Sequence, residues 1–218
     1  MKTLLSTKIL TSNQRQLLVD AGFDVIEKEM IVIQPVSIPT FEPQQKLLFT
    51  SQQAVKSVVE QQLVLQPEKH SVFCVGEKTR KALEDSGFTV RTSFETAAAL
   101  ATYLLESEAT DFDFFCGNRR LDTLPNKLIS NGKKLREIVV YKTVNQSEKM
   151  ETPLHGILFF SPSGVESFLE KNTLDDLPCF CIGPTTAAAL NGITQNVYKA
   201  STPTVEATLQ LSIDYFKR

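Results

Sequence analysis

Two stretches of the chain carry the same pattern about 110 residues apart, LLFTSQQAVKSVVEQQ from Leu47 and ILFFSPSGVESFLEKN from Ile157. Each begins as an apolar run, passes through a small hydroxylic residue, and continues as an amphipathic, helix-like run. Short apolar runs that alternate with amphipathic stretches are typical of βαβ units and parallel sheets. The pair therefore predicts a duplicated α/β protein.

The repeat extends over the rest of both halves. The further matched pairs, with the earlier member first, are SVFCVGEKTRKAL (71–83) with PCFCIGPTTAAAL (178–190), TVRTSFETAAALATYL (89–104) with NVYKASTPTVEATLQL (196–211), and LLSTKILTSNQRQLLVDAG (4–22) with FFCGNRRLDTLPNKLISNG (114–132). Both members of the last pair end in a glycine, Gly22 and Gly132, which closes a helix before the next strand, as helix-ending glycines do. Each half is thus predicted to contain strands and helices in the same alternating order.

Two extended runs, EMIVIQPV (29–36) and IVVYKTVNQ (138–146), have no helix between them and the next strand. Their pairing would make one domain discontinuous. We therefore expect one α/β domain from residues 1–33 and 147–218 and an inserted α/β domain from residues 36–143, with linkers at about 34–35 and 144–146. The alternative is one continuous doubly wound sheet with two edge strands.

The composition is that of an ordinary globular protein of 218 residues, with 42% hydrophobic and 22% charged residues. A formal net charge of −2 gives no reason to expect nucleic acid or a membrane surface as partner. The N-terminal MKTLLSTKIL lacks the apolar core of a signal peptide, and no run approaches a membrane span. Four cysteines without a CxxC pattern predict buried structural thiols, so a cytoplasmic location is expected.

Candidate binding residues follow the predicted strands, because open parallel sheets bind ligands beyond the carboxyl ends of their strands. Most are small, hydroxylic or glycine, and each lies just before or within the start of a helix. They are Lys8, Ser51, Gly76, Thr79, Gly117, Asn118, Ser161, Ser163, Gly183, Thr185 and Thr186. Taken singly, such residues are ordinary helix caps. Together they predict helix N-termini that face one edge of each domain and hold carboxylate or phosphate groups by backbone N–H groups.

Familiar catalytic motifs are missing from the sequence. It contains no GxSxG elbow, no P-loop and no GxGxxG loop, and no metal-ligand spacing. Asp111, Asp113, Asp175 and Asp176 flank predicted strands or turns and are interpreted as solvated. We therefore expect a protein without cofactor or metal that, if it is an enzyme, mainly orients a reactive substrate. Tyr141, on the second extended run, is the one suggestive side chain, and its alternative is a half-buried strand aromatic.

A set of motifs in fixed order resembles the uroporphyrinogen-III synthase family. The motifs are FTS (49–51), VGEKTRKAL (75–83), CGNRRLDTLPNKL (116–128), VVYKT (139–143), FFSPSGVESFL (159–169), IGPTTAAAL (182–190) and STPT (201–204). They span nearly the whole chain. The resemblance implies two similar flavodoxin-like parallel-sheet domains joined by a two-stranded antiparallel ladder.

The resemblance also implies an activity. Members of this family are carbon–oxygen lyases (cyclising hydro-lyases) of tetrapyrrole and haem biosynthesis. Their substrate is hydroxymethylbilane, a linear tetrapyrrole with eight carboxylates, which they dehydrate and cyclise with inversion of ring D to give uroporphyrinogen III and water. Without an enzyme the bilane closes to the unturned isomer I. The catalytic task is therefore to hold the substrate in one geometry.

The resemblance assigns roles to individual residues. Tyr141 matches the tyrosine that assists loss of the hydroxyl group, a task open to a phenol because it keeps its proton at neutral pH. The hydroxylic residues of the candidate set match positions that contact the substrate. Lys8 departs from the pattern, since the first strand of the family commonly ends in Thr-Arg. A lysine keeps the positive charge and lacks the bidentate fork of arginine.

The resemblance further predicts a monomer without cofactor that can receive its substrate from hydroxymethylbilane synthase. Two other classes of protein fit the same residues. A two-domain binding protein for an anionic small molecule would also present helix N-termini to its ligand. A purely structural protein of duplicated design would leave the hydroxylic residues without a use.

Overall fold

The computed structural model describes residues 1–38, 40–61 and 69–217. In chain order its elements are β1 (Lys2–Ser6), α1 (Ser12–Asp20), β2 (Phe23–Glu27), β3 (Ile31–Pro35), β4 (Lys46–Phe49), α2 (Gln52–Glu60), β5 (Ser71–Val75), α3 (Glu77–Asp85), β6 (Val90–Phe94), α4 (Ala97–Glu106), β7 (Asp111–Gly117), α5 (Thr123–Ile129), β8 (Lys134–Asn145), β9 (Gly156–Phe159), α6 (Pro162–Leu169), β10 (Cys179–Cys181), α7 (Pro184–Ala188), β11 (Val197–Lys199) and α8 (Val205–Phe216). None of the described helices combines the length and the hydropathy that a membrane crossing requires.

The chain divides into two compact units. The first unit comprises Met1–Val32 and Val144–Arg218, and the second comprises Ile33–Thr143. The described strands form two separate sheets, so the alternative of one continuous sheet is wrong. Most of the residues expected to be linkers, 34–35 and 144–146, belong to β3 and β8 in the structure. The domain boundaries given above stay a prediction.

The sheet of the first unit has the strand order β11-β10-β9-β1-β2, and all its pairings are parallel. Numbered within the unit, this is the order 2-1-3-4-5 of flavodoxin-like folds. The chain leaves β1 in one direction along the sheet and β9 in the other. The crevice at the carboxyl ends of these two strands is therefore the topological switch point, where such folds bind ligands.

The sheet of the second unit has the same arrangement of strands in space, although these strands follow one another in a different order along the chain. In β8-β7-β4-β5-β6, β7 and β8 stand where β1 and β2 stand in the first unit. The pairings among these five strands are parallel. Its switch point lies between β4 and β7. The predicted α/β fold with parallel sheets is confirmed.

One further strand, β3, lies beside β8 at the edge of this sheet. The Val36 N–H donates to Val140 O at 3.0 Å within the second unit, and the Gln146 N–H donates to Met30 O at 2.8 Å within the first. From Val36 to Met30 the residue number falls, while the number of the bonded partner rises from 140 to 146, so the pairing is antiparallel. A ladder that joins two domains remains the prediction made from the sequence.

Each sheet has apolar clusters on both of its faces. In the first unit these form around Leu5 and Phe159 on one face and around Leu4 and Phe180 on the other. In the second unit the rings of Phe49 and Phe115 stack at 5.0 Å in one cluster, and Phe114 belongs to the other. Burial on both faces is why the strands read as continuous apolar runs rather than as alternating ones.

Candidate functional site

The switch point of the second unit brings three of the candidate residues together. Ser51 follows β4, Gly117 ends β7, and Tyr141 pairs with Gly117 from the neighbouring strand β8. The strands β4 and β7 are adjacent and in register, with Phe49 opposite Phe115. The carboxyl ends of β4 and β7 are thus fixed by the packed core directly below them.

Ser51 is the N-cap of α2. Its backbone is extended, and its Oγ accepts a hydrogen bond from the Ala54 N–H at 3.1 Å. This bond satisfies one of the N–H groups that the first turn of a helix leaves without a partner. The same Oγ lies 3.2 Å from the Tyr141 Oη, and either oxygen can be the donor. A helix N-terminus, a serine hydroxyl and a phenol therefore meet in one place.

Tyr141 is half-buried and packs its ring against an apolar cluster of the second unit. The residue before it, Val140, is fully buried. The pairing of β7 with β8 shifts at this point, so that Cys116 pairs with Val139 and Gly117 pairs with Tyr141. This bulge places the tyrosine ring over the glycine.

The side chain of Asn118 is bound to the backbone of β8. Its Oδ1 accepts from the Thr143 N–H at 2.8 Å, and the backbone N–H of the same residue donates to Tyr141 O at 3.2 Å. The amide group thus continues the strand pairing beyond the end of β7. A contact between Asn118 and substrate stays a prediction.

Gly76 and Thr79 belong to the start of α3. Gly76 is the N-cap at φ 87°, a conformation that favours glycine, and its N–H donates to Phe94 O at 2.8 Å. Thr79 is buried within the first turn. Both residues shape the turn from β5 into α3, while a direct substrate contact from either is untested.

The switch point of the first unit is built from Thr7, Ser161 and Gly164. Ser161 caps α6 and accepts from the Gly164 N–H at 3.0 Å. Thr7 follows β1 and donates its Oγ1 hydrogen to Leu158 O at 2.8 Å. A Cβ on Gly164 would lie 3.4 Å from the Thr7 Oγ1, so the glycine allows close packing of α6 on the end of β1. Ser163 is half-buried in the first turn of α6.

Three further candidates of this unit lie at α7. Gly183 is its N-cap in an extended conformation, Thr185 is exposed, and Thr186 is buried. Lys8 is half-buried, and its Nζ lies 5.8 Å from the centroid of the Phe160 ring. The pKa of Glu206 is lowered first by a hydrogen bond from Gln14 and also by the charge of Lys8.

The candidate residues therefore fall into two sets, one at the carboxyl edge of each sheet. The first unit holds Lys8, Ser161, Ser163, Gly183, Thr185 and Thr186, and the second holds Ser51, Gly76, Thr79, Gly117, Asn118 and Tyr141. Sequence reasoning missed other residues at the same two edges, namely Thr7 and the helix caps Thr11, Thr96 and Thr204. Each of these caps is a threonine directly before a helix, and Thr11 forms a capping box with Gln14, a signal that the sequence contains.

Asp113 is not solvated, so its interpretation from the sequence was wrong. The residue is fully buried in β7, and Arg136 of the neighbouring β8 donates to it from Nε at 2.6 Å and from Nη2 at 2.8 Å. The Gln44 N–H donates to the same carboxylate at 2.7 Å. This carboxylate raises the pKa of the Arg136 guanidinium. The pair lies near the amino end of β7 and therefore supports the sheet rather than the switch point.

The four cysteines are free and buried, as the sequence predicted. Burial raises the pKa of Cys74 and Cys116 to about 11 and that of Cys179 and Cys181 to about 12. Such thiols are almost entirely protonated at neutral pH and are poor nucleophiles. Within the described residues, no group of three His, Cys, Asp or Glu side chains is placed to hold a metal ion. The groups that the candidate residues themselves supply are hydroxyl, phenol and backbone N–H groups.

The family model described as uroporphyrinogen-III synthase HemD matches residues 13–210. The uroporphyrinogen-III synthase of Saccharomyces cerevisiae is 29% identical over 190 residues, which covers 69% of this chain and 69% of that protein.

Two solved structures show the same fold. The uroporphyrinogen-III synthetase of Helicobacter pylori superposes with a TM-score of 0.71 at 21% identity, covering 99% of this chain and 100% of that one. A mutant uroporphyrinogen III synthase of Thermus thermophilus gives a TM-score of 0.75 at 16% identity, covering 100% and 99%. With a family model that matches nearly the whole sequence and a fold shared along its length, the chain belongs to the uroporphyrinogen-III synthase family.

Proposed function

We propose that this protein dehydrates hydroxymethylbilane and closes it, with inversion of ring D, to uroporphyrinogen III and water. The observation that carries the proposal is the Tyr141 phenol, which lies 3.2 Å from the Ser51 hydroxyl at the switch point of the second unit. Membership of the family supplies the substrate and the reaction class. The activity belongs to tetrapyrrole and haem biosynthesis and is that of a cyclising hydro-lyase.

Tyr141 serves as the acid for the first step. Because the Ser51 Oγ already accepts from the Ala54 N–H, its own hydrogen can be donated to the Tyr141 Oη, which lies 3.2 Å away. In this arrangement the phenol proton is left to point at the hydroxyl group on ring A of the bilane. When the carbon–oxygen bond breaks, this proton leaves with the hydroxyl as water, the phenol becomes a phenolate, and ring A becomes an electron-poor azafulvenium cation that keeps its N–H. General acid assistance of this kind is typically worth about 10²–10⁴ in rate.

The remaining steps need geometry more than further acid or base groups. Ring D attacks the azafulvenium cation through its substituted carbon, and the resulting spiro intermediate fragments and closes again with ring D turned round. The carbon that closes the macrocycle then loses a proton, which balances the proton that the phenol gave. The protein contributes by holding the bilane so that direct closure to isomer I is disfavoured.

The helix N-termini at both sheet edges are the proposed sites for the substrate carboxylates. The residues kept as contacts on this basis are Ser51, Thr79, Ser161, Ser163, Thr185 and Thr186, with Gly76, Asn118 and Gly183. At α2 and α6 the cap serine satisfies one N–H group. The first turn of α2 has further N–H groups that can bind an anion, whereas α6 begins with Pro162, which has no N–H, so Ser163 is its first donor. Lys8 is the one positive side chain of the set.

The arrangement of the whole protein is proposed along the same lines. Residues 1–33 with 147–218 and residues 36–143 act as two domains of a monomer, which works in the cytoplasm and receives the bilane from hydroxymethylbilane synthase. The division into two compact units supports the domain part of the proposal. Sedimentation of the purified chain tests whether it is a monomer, and sedimentation of its mixture with hydroxymethylbilane synthase tests whether the two enzymes associate. A stable dimer would contradict the monomer.

The test of the reaction is a single-turnover assay with freshly generated hydroxymethylbilane, followed by separation of the isomers. The protein is expected to shift the product from uroporphyrinogen I to uroporphyrinogen III. A protein that only bound the bilane would slow its loss and still release isomer I. Formation of isomer I alone, at the spontaneous rate, would therefore refute the proposed activity.

A further inference from the structure

We propose that Gly117 is the positioning residue for Tyr141, because its missing side chain leaves the space in which the phenol ring lies. The inference rests on the proposed role of Tyr141 in the dehydration. It also changes the interpretation of Gly117 itself, which the sequence predicted as a substrate contact. In this proposal Gly117 acts on the substrate only through the tyrosine.

The geometry leaves no room for a side chain at this position. A Cβ built on Gly117 would lie 2.4 Å from the Tyr141 Cζ, 2.5 Å from Cε2 and 2.7 Å from Oη. Real Cβ atoms essentially never come within 3.0 Å of such neighbours. The φ angle of Gly117 is not in the left-handed region, since only Gly22, Gly76, Gly87, Gly132 and Gly192 have positive φ among the described glycines. Alanine would therefore suit the backbone, and the nearest atoms that its methyl group would meet are those of the Tyr141 side chain.

The backbone beneath the ring is held on both sides. The register shift between Cys116 and Gly117 sets Tyr141 opposite the glycine. Beyond it, Asn118 binds β8 twice, through its N–H to Tyr141 O at 3.2 Å and through its Oδ1 to the Thr143 N–H at 2.8 Å. The strand cannot easily move away from an added methyl group, so the ring would have to rotate. Rotation would carry the Oη away from Ser51.

Burial argues against a direct substrate contact at Gly117. The residue is buried, and the tyrosine ring lies on the side where a side chain would project. Two ring atoms and the phenol oxygen lie 2.4–2.7 Å from the point where a Cβ would be, so the tyrosine already fills that space. The phenol oxygen is among them, so the position of the glycine and the position of the proposed acid are set together.

The kinetic test is a double-mutant cycle. Gly117→Ala is expected to lower kcat for isomer III by about 10²–10⁴, as far as Tyr141→Phe does, with little change in KM. Added to Tyr141→Phe, it is expected to cause no further loss of kcat, because the group that it misplaces is already gone. A glycine that touched the substrate would act independently, and its loss would multiply with that of the phenol. That outcome would overturn the proposal.

A second measurement is independent of catalysis. The chain has four tyrosines and no tryptophan, so carbon-13 labelling of tyrosine gives a simple ring spectrum in which Tyr141→Phe identifies one signal. Gly117→Ala is expected to shift that signal and to leave the other three in place. An unshifted Tyr141 signal would overturn the proposal whatever the kinetics show. A shifted signal together with full activity of Tyr141→Phe would instead refute the proposed acid and leave the positioning intact.

The thermal midpoint Tm gives a check if Gly117→Ala folds poorly. In a Tyr141→Ala background the added methyl group meets no ring, so Gly117→Ala is expected to lower Tm far less there than in the native chain. An equal loss of Tm in both backgrounds would overturn the proposal. Gly132→Ala serves as control, because it lies in the same unit, has open space and a φ of 76°, and is expected to lower Tm without changing kcat.

Discussion

The helices α2 and α6 allow the two units to be compared position by position. Each follows a buried strand that ends in an aromatic residue, each is capped by a serine, and each carries a second serine on its buried face. The caps are Ser51 and Ser161, and the buried serines are Ser57 and Ser167. The duplicated sequence has therefore kept the same device for starting a helix at both switch points.

The surroundings of the two caps differ. The Ser51 Oγ lies 3.2 Å from a phenol that β8 supplies, whereas α6 lies against Thr7 at the end of β1. The phenol reaches its place because β7 ends in a glycine and its pairing with β8 shifts by one residue. The comparison teaches that the repeated helix provides the frame, and that in the second unit the strand β8 adds a phenol beside the helix cap.

The largest expected effect tests this asymmetry directly. Tyr141→Phe removes the phenol oxygen and keeps the ring on Gly117, so kcat for isomer III is expected to fall by about 10²–10⁴ with Tm nearly unchanged. The measurement is single-turnover isomer analysis beside thermal unfolding. A matched control is Tyr198→Phe on β11, which removes a phenol oxygen from the first unit and is expected to keep the normal rate.

A normal rate in Tyr141→Phe would remove the distinction between the two units. Catalysis would then have to come from the hydroxyl groups that the units share, and Ser51→Ala or Ser161→Ala should abolish activity instead.

The next effect concerns the strand below the site. β7 carries a buried carboxylate, Asp113, while β1 in the first unit has no acidic residue. The Arg136 side chain is exposed, so Arg136→Ala would remove its hydrogen bonds to the buried carboxylate, which keeps the bond from the Gln44 N–H. A loss of about 1–3 kcal/mol of the free energy of unfolding is therefore expected. Denaturant unfolding measures the loss, and Lys134→Ala, whose exposed ammonium lies 3.7 Å from Asp111, is the control. Equal stability of the two variants would show that the ion pair between Arg136 and Asp113 does not stabilise the fold.

The repeat is what the sequence reveals best. The runs LLF and ILF, their serines and the helices that follow predict the central strands and their helices in both units, because local hydrophobic periodicity decides them. The separate sheets and the order 2-1-3-4-5 depend on which strands pair over long sequence distances. Asp113 shows the limit of prediction from local patterns, since its partner Arg136 lies 23 residues away on the adjacent strand. No local pattern marks the carboxylate as buried.

The site could be predicted only in part. Tyr141 and Ser51 were identified by resemblance to family motifs, and the structure places their oxygens at hydrogen-bonding distance. The relation of Gly117 to the tyrosine could not be predicted, because it depends on a register shift between β7 and β8 that leaves no trace in residue type. The caps Thr96 and Thr204 could have been found, since both are threonines directly before a helix.

A smaller effect separates capping from chemistry. Ser51→Ala and Ser161→Ala each remove an N-cap hydroxyl, so each is expected to lower the free energy of unfolding by about 1 kcal/mol. Ser51→Ala should also lower kcat, though less than Tyr141→Phe, because the phenol loses the donor that orients it. Thr204→Ala, the loss of a cap on α8, serves as the control for capping alone. A rate loss for Thr204→Ala as large as that for Ser51→Ala would contradict the special place of Ser51.

The smallest effect is expected to differ in sign between the units. In the described part of the chain, the Ser57 Oγ is a buried oxygen without a hydrogen-bond partner, whereas the Ser167 Oγ lies 3.2 Å from the Ser147 Oγ. Ser147 donates its own hydrogen to Glu170, so Ser167 is the donor in that contact. A buried hydroxyl without a partner is destabilising, and alanine also has the higher helix propensity.

Ser57→Ala is therefore expected to raise the free energy of unfolding by up to about 1 kcal/mol, and Ser167→Ala to lower it by about 0.5–1.5 kcal/mol. The two variants make the same chemical change at equivalent positions of the repeated helix, so each is the control of the other. Urea unfolding of both in one buffer measures the difference. Losses of equal size would mean that Ser57 has a partner in solution, and the two helices would then be alike in their buried faces as well as in their caps.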